Sequence, residues 1–265
     1  MMRKSALPFL NADDPIPAAT PSSALQPDAD ELALLSEMQR LYTVLNPPLA
    51  DGEGRVVQFV SAQPGVGTST IARAFARAAT LQAQQYVTLL DLNATGPSQY
   101  DWFEQASRRD RNLAMGDPID IGVDPTPLWR LSGEHVVTEL PNAARGPLMS
   151  FHRVGASRLL VSRFRHESLR EGQTAQLGNQ PTFWDNLRSR INFTVVDTPA
   201  ASRSVDAIGA STLADMVVLV VEAEATRVPV MADLRDLLLA RGANLAGVVL
   251  NKRRFYIPEA IYRRL

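Results

Sequence analysis

Residues 55–91 run from an apolar segment, Arg55-Val56-Val57-Gln58-Phe59-Val60-Ser61, through a turn built on Pro64, Gly65 and Gly67, into an alanine-rich helical stretch at 69–83, and on to a second apolar segment, 86–92, that carries Asp91 near its end. Strand, tight turn, helix and strand in this order spell a β-α-β unit, and the returning helix obliges the two strands to lie parallel. Later residues extend the pattern. Near-continuous apolar runs at 193–197 and 216–222 suit strands covered on both faces, a helix at 229–241 stops at Gly242, and a further strand occupies 245–250. The sequence thus predicts an α/β fold with a doubly wound, mainly parallel sheet and helices on both faces.

Composition narrows the chemistry. The 265 residues are 45% hydrophobic and 21% charged, enough apolar material for a sizeable core. With 27 Lys and Arg against 28 Asp and Glu the net charge is −1, which removes the global electrostatic argument for nucleic-acid binding. No cysteine is present, so disulfides, iron–sulfur clusters, thiolate zinc sites and a cysteine nucleophile are excluded. His135, His152 and His166 show no ligand spacing, and a metal would have to be a hard ion on oxygen ligands, such as Mg²⁺. The longest strongly apolar run, 216–221, is far below the roughly 20 residues that span a bilayer. Without a convincing signal peptide, a cytoplasmic location is expected.

Residues 1–30, with Pro8, Pro15, Pro17, Pro21 and Pro27, read as a disordered tail ahead of a single domain at 31–265. Leu32, Leu35, Met38, Leu41 and Leu45 recur at helical spacing over 30–45, and Pro47-Pro48 ends that helix. Between 97 and 182 seven prolines break the pattern. Irregular loops and short helices are expected there, with one extra strand at 158–164.

The segment Ser61-Ala62-Gln63-Pro64-Gly65-Val66-Gly67-Thr68-Ser69-Thr70 has the layout of a P-loop, in which glycines let successive backbone N–H groups converge on a phosphate at the positive end of a helix. It departs from the strict pattern at Ala62, in the first glycine position, and at Thr68, in the lysine position. Taken alone it also suits an ordinary glycine turn. Asp91 and Asp197 close two strands at their carboxyl ends, the edge where open α/β sheets bind ligands, and two carboxylates beside such a loop are what Mg²⁺-phosphate chemistry requires.

These elements, together with Gly96-Pro97-Ser98, Val195-Val196-Asp197-Thr198-Pro199, Asp206 and the stretch from Ala214-Asp215 to Asn251, resemble the cytoplasmic domain of bacterial tyrosine kinases of capsule and exopolysaccharide biosynthesis, a branch of the MinD/ParA-like P-loop ATPases. Plain MinD and ParA proteins carry a signature lysine where this chain has Gln63. The resemblance implies that Gly65, Val66, Gly67, Thr68, Ser69 and Thr70 cradle the phosphates of ATP or ADP. It further implies that Ser69, Asp91 and Asp197 serve Mg²⁺, that Asp91 is the catalytic acid, and that Asn251 reads the adenine edge. It also implies self-association through a Glu-x-x-Arg-x-x-Arg helix motif, present here only as Glu37, Arg40 and Thr43.

Where the family has a lysine, a second acid and an arginine, this chain has Thr68, Asn93 and Thr95. Losing one preorganised charge-stabilising donor costs on the order of 3 kcal/mol of transition-state stabilisation, so weak or absent turnover is expected, with binding weakened but retained. The resulting expectation is a degenerate kinase-like partner or regulator in exopolysaccharide synthesis and export. Its partner would be a membrane polysaccharide copolymerase or another export-complex protein, met at the inner face of the membrane. Direct membrane contact would fall to the basic tail that includes Lys252, Arg253 and Arg254. The alternatives are an active ATPase or tyrosine autokinase in which Arg203 or Arg227, rather than Arg73, supplies the missing charge, and a MinD/ParA-like positioning ATPase.

Overall fold

The computed structural model describes residues 29–46, 54–83, 85–125, 128–133, 147–178 and 180–253. Residues 1–28 of the expected N-terminal tail and the basic tail after Arg253 lie outside the described residues.

An eight-stranded sheet organises these residues. Its parallel part consists of β1 (Arg55–Val60), β2 (Val87–Asp91), β6 (Leu159–Phe164), β8 (Phe193–Asp197), β9 (Met216–Glu222) and β10 (Leu245–Asn251). Two antiparallel strands, β5 (Met149–Val154) and β3 (Met115–Ile119), extend it, giving the order β10-β9-β1-β8-β2-β6-β5-β3. A separate ribbon pairs β4 (Trp129–Ser132) with β7 (Thr174–Leu177). Helices α1 (Ala29–Leu45), α2 (Thr68–Thr80), α3 (Gln99–Ala106), α4 (Pro181–Arg190), α5 (Asp206–Ser211) and α6 (Val228–Ala240) complete the elements used below.

Strand alternation shows why helices cover both faces. Val57 and Phe59 of β1 pack with Ile71 and Phe75 of α2, whereas Val56 joins Phe183, Trp184 and Leu187 of α4 on the other face, and Val60 joins Leu234 and Leu238 of α6. Helix α1 lies on α2, its Tyr42 ring 5.1 Å from Phe193, and its last carbonyl, Leu45, accepts a 2.6 Å bond from Arg55. On its exposed side Glu37 and Arg40 are ion-paired with each other at 2.9 Å. Among the described residues no helix is long and apolar enough to cross a membrane.

The doubly wound sheet and its parallel strands match the sequence expectation, with boundaries shifted by a few residues. The segment 97–182 is more regular than expected. The strand at 158–164 is there as β6, but β3 and β5 also join the main sheet and β4 and β7 form the ribbon. Proline misleads here because its cost depends on the strand's place. Pro118 sits in β3, which pairs on one side only, so its missing N–H removes nothing essential from the ladder.

Candidate nucleotide-binding site

The loop between β1 and α2 is held open by its own backbone. Gly65 and Gly67 adopt φ of 83° and 95°, left-handed values that glycine reaches without a Cβ penalty. A Cβ on Gly65 would point into open space, whereas one on Gly67 would lie 2.2 Å from the Asn251 amide nitrogen. Val66, between them, is buried in the core and anchors the turn. The Ser61 hydroxyl donates to the Gln63 carbonyl at 3.0 Å, and the Ile71 N–H returns to Gly67 O to start α2. From the end of β10, Asn251 Nδ2 donates to Val66 O at 2.8 Å, and Lys252 Nζ to Gly65 O at 2.6 Å while pairing with Glu222. These bonds take up carbonyls on the far side of the loop.

In front of the loop lies a cavity of about 720 Å³. Its walls are residues 64–65 and 67–70 of the loop and helix start, residues 92–97 after β2, the ribbon strand β7 at 174–176, and segments 198–200 and 203–206 after β8. The last wall is tied to the loop by Ala201 N–H to Ser61 O at 2.8 Å, and β7 is tied to α5 by Leu177 N–H to the Asp206 carboxylate at 3.1 Å. Arg203 is the only basic side chain lining the cavity among the described residues; Arg227 and Arg73 do not line it. Thr68 also lines it, but its side chain is mostly buried and its hydroxyl has no hydrogen-bond partner.

The aspartates are arranged differently. Asp91 and Asp197 stand side by side in register at the ends of β2 and β8, and both are buried. Neither lines the cavity. Between them sits Gln99, the first residue of α3, fixed by a capping box in which Ser98 and Asp101 exchange hydrogen bonds. Gln99 N–H donates to Asp91 Oδ2 at 2.7 Å, and its amide Nε2 donates to Asp197 Oδ2 at 2.6 Å and to Ser69 O at 3.0 Å. Asp91 Oδ1 accepts from the Asn93 N–H at 2.9 Å. Arg73 holds the other end of the amide, donating to Gln99 Oε1 at 2.8 Å with its guanidinium 3.9 Å from the centre of the Trp102 ring.

Electrostatics follow from this crowding. Burial, and then the neighbouring Asp197, push Asp91 up to about 8. Burial raises Asp197 too, opposed by Gln99, the Ser69 hydroxyl and Arg73. Burial lowers Arg73 to about 10, with Asp197 the leading opposing influence. The Oδ1 atom of Asp197 is fully enclosed with no partner in ordinary hydrogen-bond geometry.

The structure therefore brings Gly65, Gly67, Thr68, Ser69 and Thr70 to one open cavity, keeps Val66 beneath it, and sets three expected residues apart. Asn251 lies outside the cavity lining and bonds Val66 O from the end of β10. Of the three expected Mg²⁺ residues only Ser69 reaches the cavity; Asp91 and Asp197 are closed off by Gln99. As arranged, the loop fits a phosphate group, and the two carboxylates do not fit a divalent ion beside it. Gln99 has no place in the sequence expectation, and Arg73 enters it only as the less favoured replacement for the missing charge. The Ser98-x-x-Asp101 signature marks a helix start right after the second strand, but what position 99 faces depends on how α3 packs.

No family model matches the sequence, and no curated protein matches it. Among solved structures, the VpsO kinase domain is 21% identical with a TM-score of 0.55, over 85% of this chain and 97% of that one. The kinase domain of the Escherichia coli tyrosine kinase ETK is 18% identical with a TM-score of 0.50, over 97% of this chain and 86% of that one. The Pyrococcus furiosus cell division ATPase MinD is 17% identical with a TM-score of 0.51, over 80% and 79%. An eight-stranded, mainly parallel sheet with a phosphate-type loop after its first strand thus gives this chain the fold shared by MinD ATPases and bacterial tyrosine kinase domains.

Proposed function

We propose that this protein binds an adenine nucleotide, ATP or ADP, through residues 65–70, and acts as a catalytically weakened, tyrosine-kinase-like partner of a membrane polysaccharide copolymerase or another export-complex protein. The process it serves is exopolysaccharide synthesis and export, at the inner face of the membrane. Tyrosine kinase domains and an ATPase share the fold, which supports nucleotide binding in general.

One observation carries the reading. The phosphate cradle faces a cavity large enough for a nucleotide, while the position of the family lysine is filled by Thr68, whose short side chain has turned into the protein. Backbone N–H groups at a helix start bind an anion without help from a side chain. Phosphoryl transfer, by contrast, depends almost entirely on positioning and charge stabilisation. Asn93 and Thr95, which border the cavity where the family carries an acid and an arginine, supply no charge either. Binding survives this set of losses better than turnover does.

Calorimetric titration with ATP and ADP tests the first half, and heat of binding is expected with both. Nucleotide hydrolysis at high protein concentration tests the second, with turnover near background. No heat with either nucleotide overturns the proposal. A second reading, an active ATPase or autokinase, draws on the place of Arg203 in the cavity wall. It requires hydrolysis well above background that Arg203→Ala removes.

A further inference from the structure

We propose that Gln99 takes the place of a divalent cation in this chain, so that the cavity holds nucleotide phosphates without a metal ion. This rests on the nucleotide reading above and deepens it.

Three of the four oxygens of the two carboxylates that would hold a metal accept hydrogen bonds from within the chain, and the fourth, Asp197 Oδ1, is walled in without a partner. A metal bound near two acids offsets their charge and occupies their lone pairs, and Gln99 does the second of these through two different groups. Its backbone N–H goes to Asp91 and its side-chain amide to Asp197. The same amide nitrogen spends its other hydrogen on Ser69 O, binding the acidic pair to the first turn of α2. Arg73 supplies the positive charge from behind, since its guanidinium holds the amide oxygen and lies over Trp102.

Mg²⁺ demands near-octahedral oxygen ligands at about 2.0–2.1 Å and gives up water reluctantly. Reaching Asp91 or Asp197 would require the Gln99 amide to leave a site in which the residue is only 2% exposed. Its departure would strip Arg73 of its acceptor and Asp197 of its amide donor. The capping box at Ser98 and Asp101 resists that displacement, because it fixes the backbone from which Gln99 springs. Phosphate is then met by the loop N–H groups and Arg203, with the acidic pair neutralised behind the wall.

The test is titration of the full chain with ADP in excess Mg²⁺ and again in EDTA. The wild-type dissociation constant is expected to agree between the two within about twofold, whereas Gln99→Ala should bind about tenfold more tightly with Mg²⁺ than without. Wild-type affinity that rises tenfold with Mg²⁺ overturns this inference and leaves the nucleotide reading standing. Absence of heat in both buffers removes the nucleotide reading and this inference with it. A folded Gln99→Ala variant indifferent to Mg²⁺ overturns the assignment to Gln99. The wild-type comparison decides the matter if that variant does not fold.

Discussion

The two halves of the site meet at α2 and have opposite characters. On the loop side, polar groups face an open cavity, and Gly65 has no neighbour within reach of an added Cβ. On the strand-tip side, Asp91 and Asp197 are enclosed, and the Gln99 amide and backbone N–H groups from the same chain occupy three of their four oxygens, with Arg73 holding the far end of that amide. A polar site waiting for a ligand leaves its donors exposed to water, whereas one that has become structural satisfies itself, because an unpaired buried charge costs several kcal/mol. The loop half keeps the first character and the aspartate half has acquired the second at every carboxylate oxygen but Asp197 Oδ1.

The sharpest way to break that contrast is pH. Burial raises both carboxyls, and the neighbouring Asp197 pushes Asp91 further, up to about 8. Between the ordinary carboxylate range and about pH 8 the folded chain then holds a proton that the unfolded chain has lost. The slope of stability with pH follows the difference in bound protons, so wild-type stability should be greatest below about pH 4 as far as this pair is concerned, and should fall as pH climbs toward 8. Asp91→Asn should flatten that fall in chemical denaturation measured at several pH values. An unchanged profile would mean that the pair is not enclosed as described.

Gln99→Leu is expected to have the next largest effect. It keeps the backbone bond to Asp91 but strips Asp197 of its amide donor and Arg73 of its acceptor. Losing hydrogen bonds to charged groups costs about 1.5–3 kcal/mol each, so a loss of roughly 3 kcal/mol in unfolding free energy is expected at neutral pH. A loss below about 0.5 kcal/mol, the level of an ordinary surface change, would show the latch to be loose.

The unequal legibility of the two halves in the sequence has the same cause. Glycines that need positive φ leave a mark, since few other residues serve there, and Gly65 and Gly67 could be placed from the motif alone. Strand ends also leave a mark, which is why Asp91 and Asp197 were found together. What those acids touch was not legible, because a side-chain contact across the eight residues from Asp91 to Gln99 depends on how α3 packs and not on local pattern. Arg73 projects from α2 about one helical turn past the loop, yet the neighbouring α3 brings Gln99 to meet it. Residues 97–182 depart from expectation for a related reason: local pattern marks prolines as breaks, while edge position makes Pro118 acceptable.

The glycines sharpen the description of the loop half. Gly67→Ala combines a left-handed φ with a collision against Asn251, and should cost about 2 kcal/mol or more together with nucleotide binding. Gly65→Ala has the same backbone strain and free space, so about 1 kcal/mol is expected, with binding reduced but measurable. Equal losses at both positions would deny that Asn251 braces the loop.

The smallest expected effect comes from restoring the absent cation. In Thr68→Lys the new side chain cannot follow the threonine into its buried niche, whose hydroxyl position has no partner to reward it. It must instead extend along the cavity that Thr68 already borders, toward the space in front of the loop N–H groups. A charge-assisted hydrogen bond to a phosphate in a partly open cavity contributes about 1.5 kcal/mol, close to a tenfold gain in affinity for ADP by calorimetry. Turnover should stay near background in the same variant, because Asn93 and Thr95 remain uncharged and Gln99 still occupies the aspartates. Affinity and catalysis rising together would show that the lysine alone was missing, and that the enclosed aspartates can open when the loop half is complete.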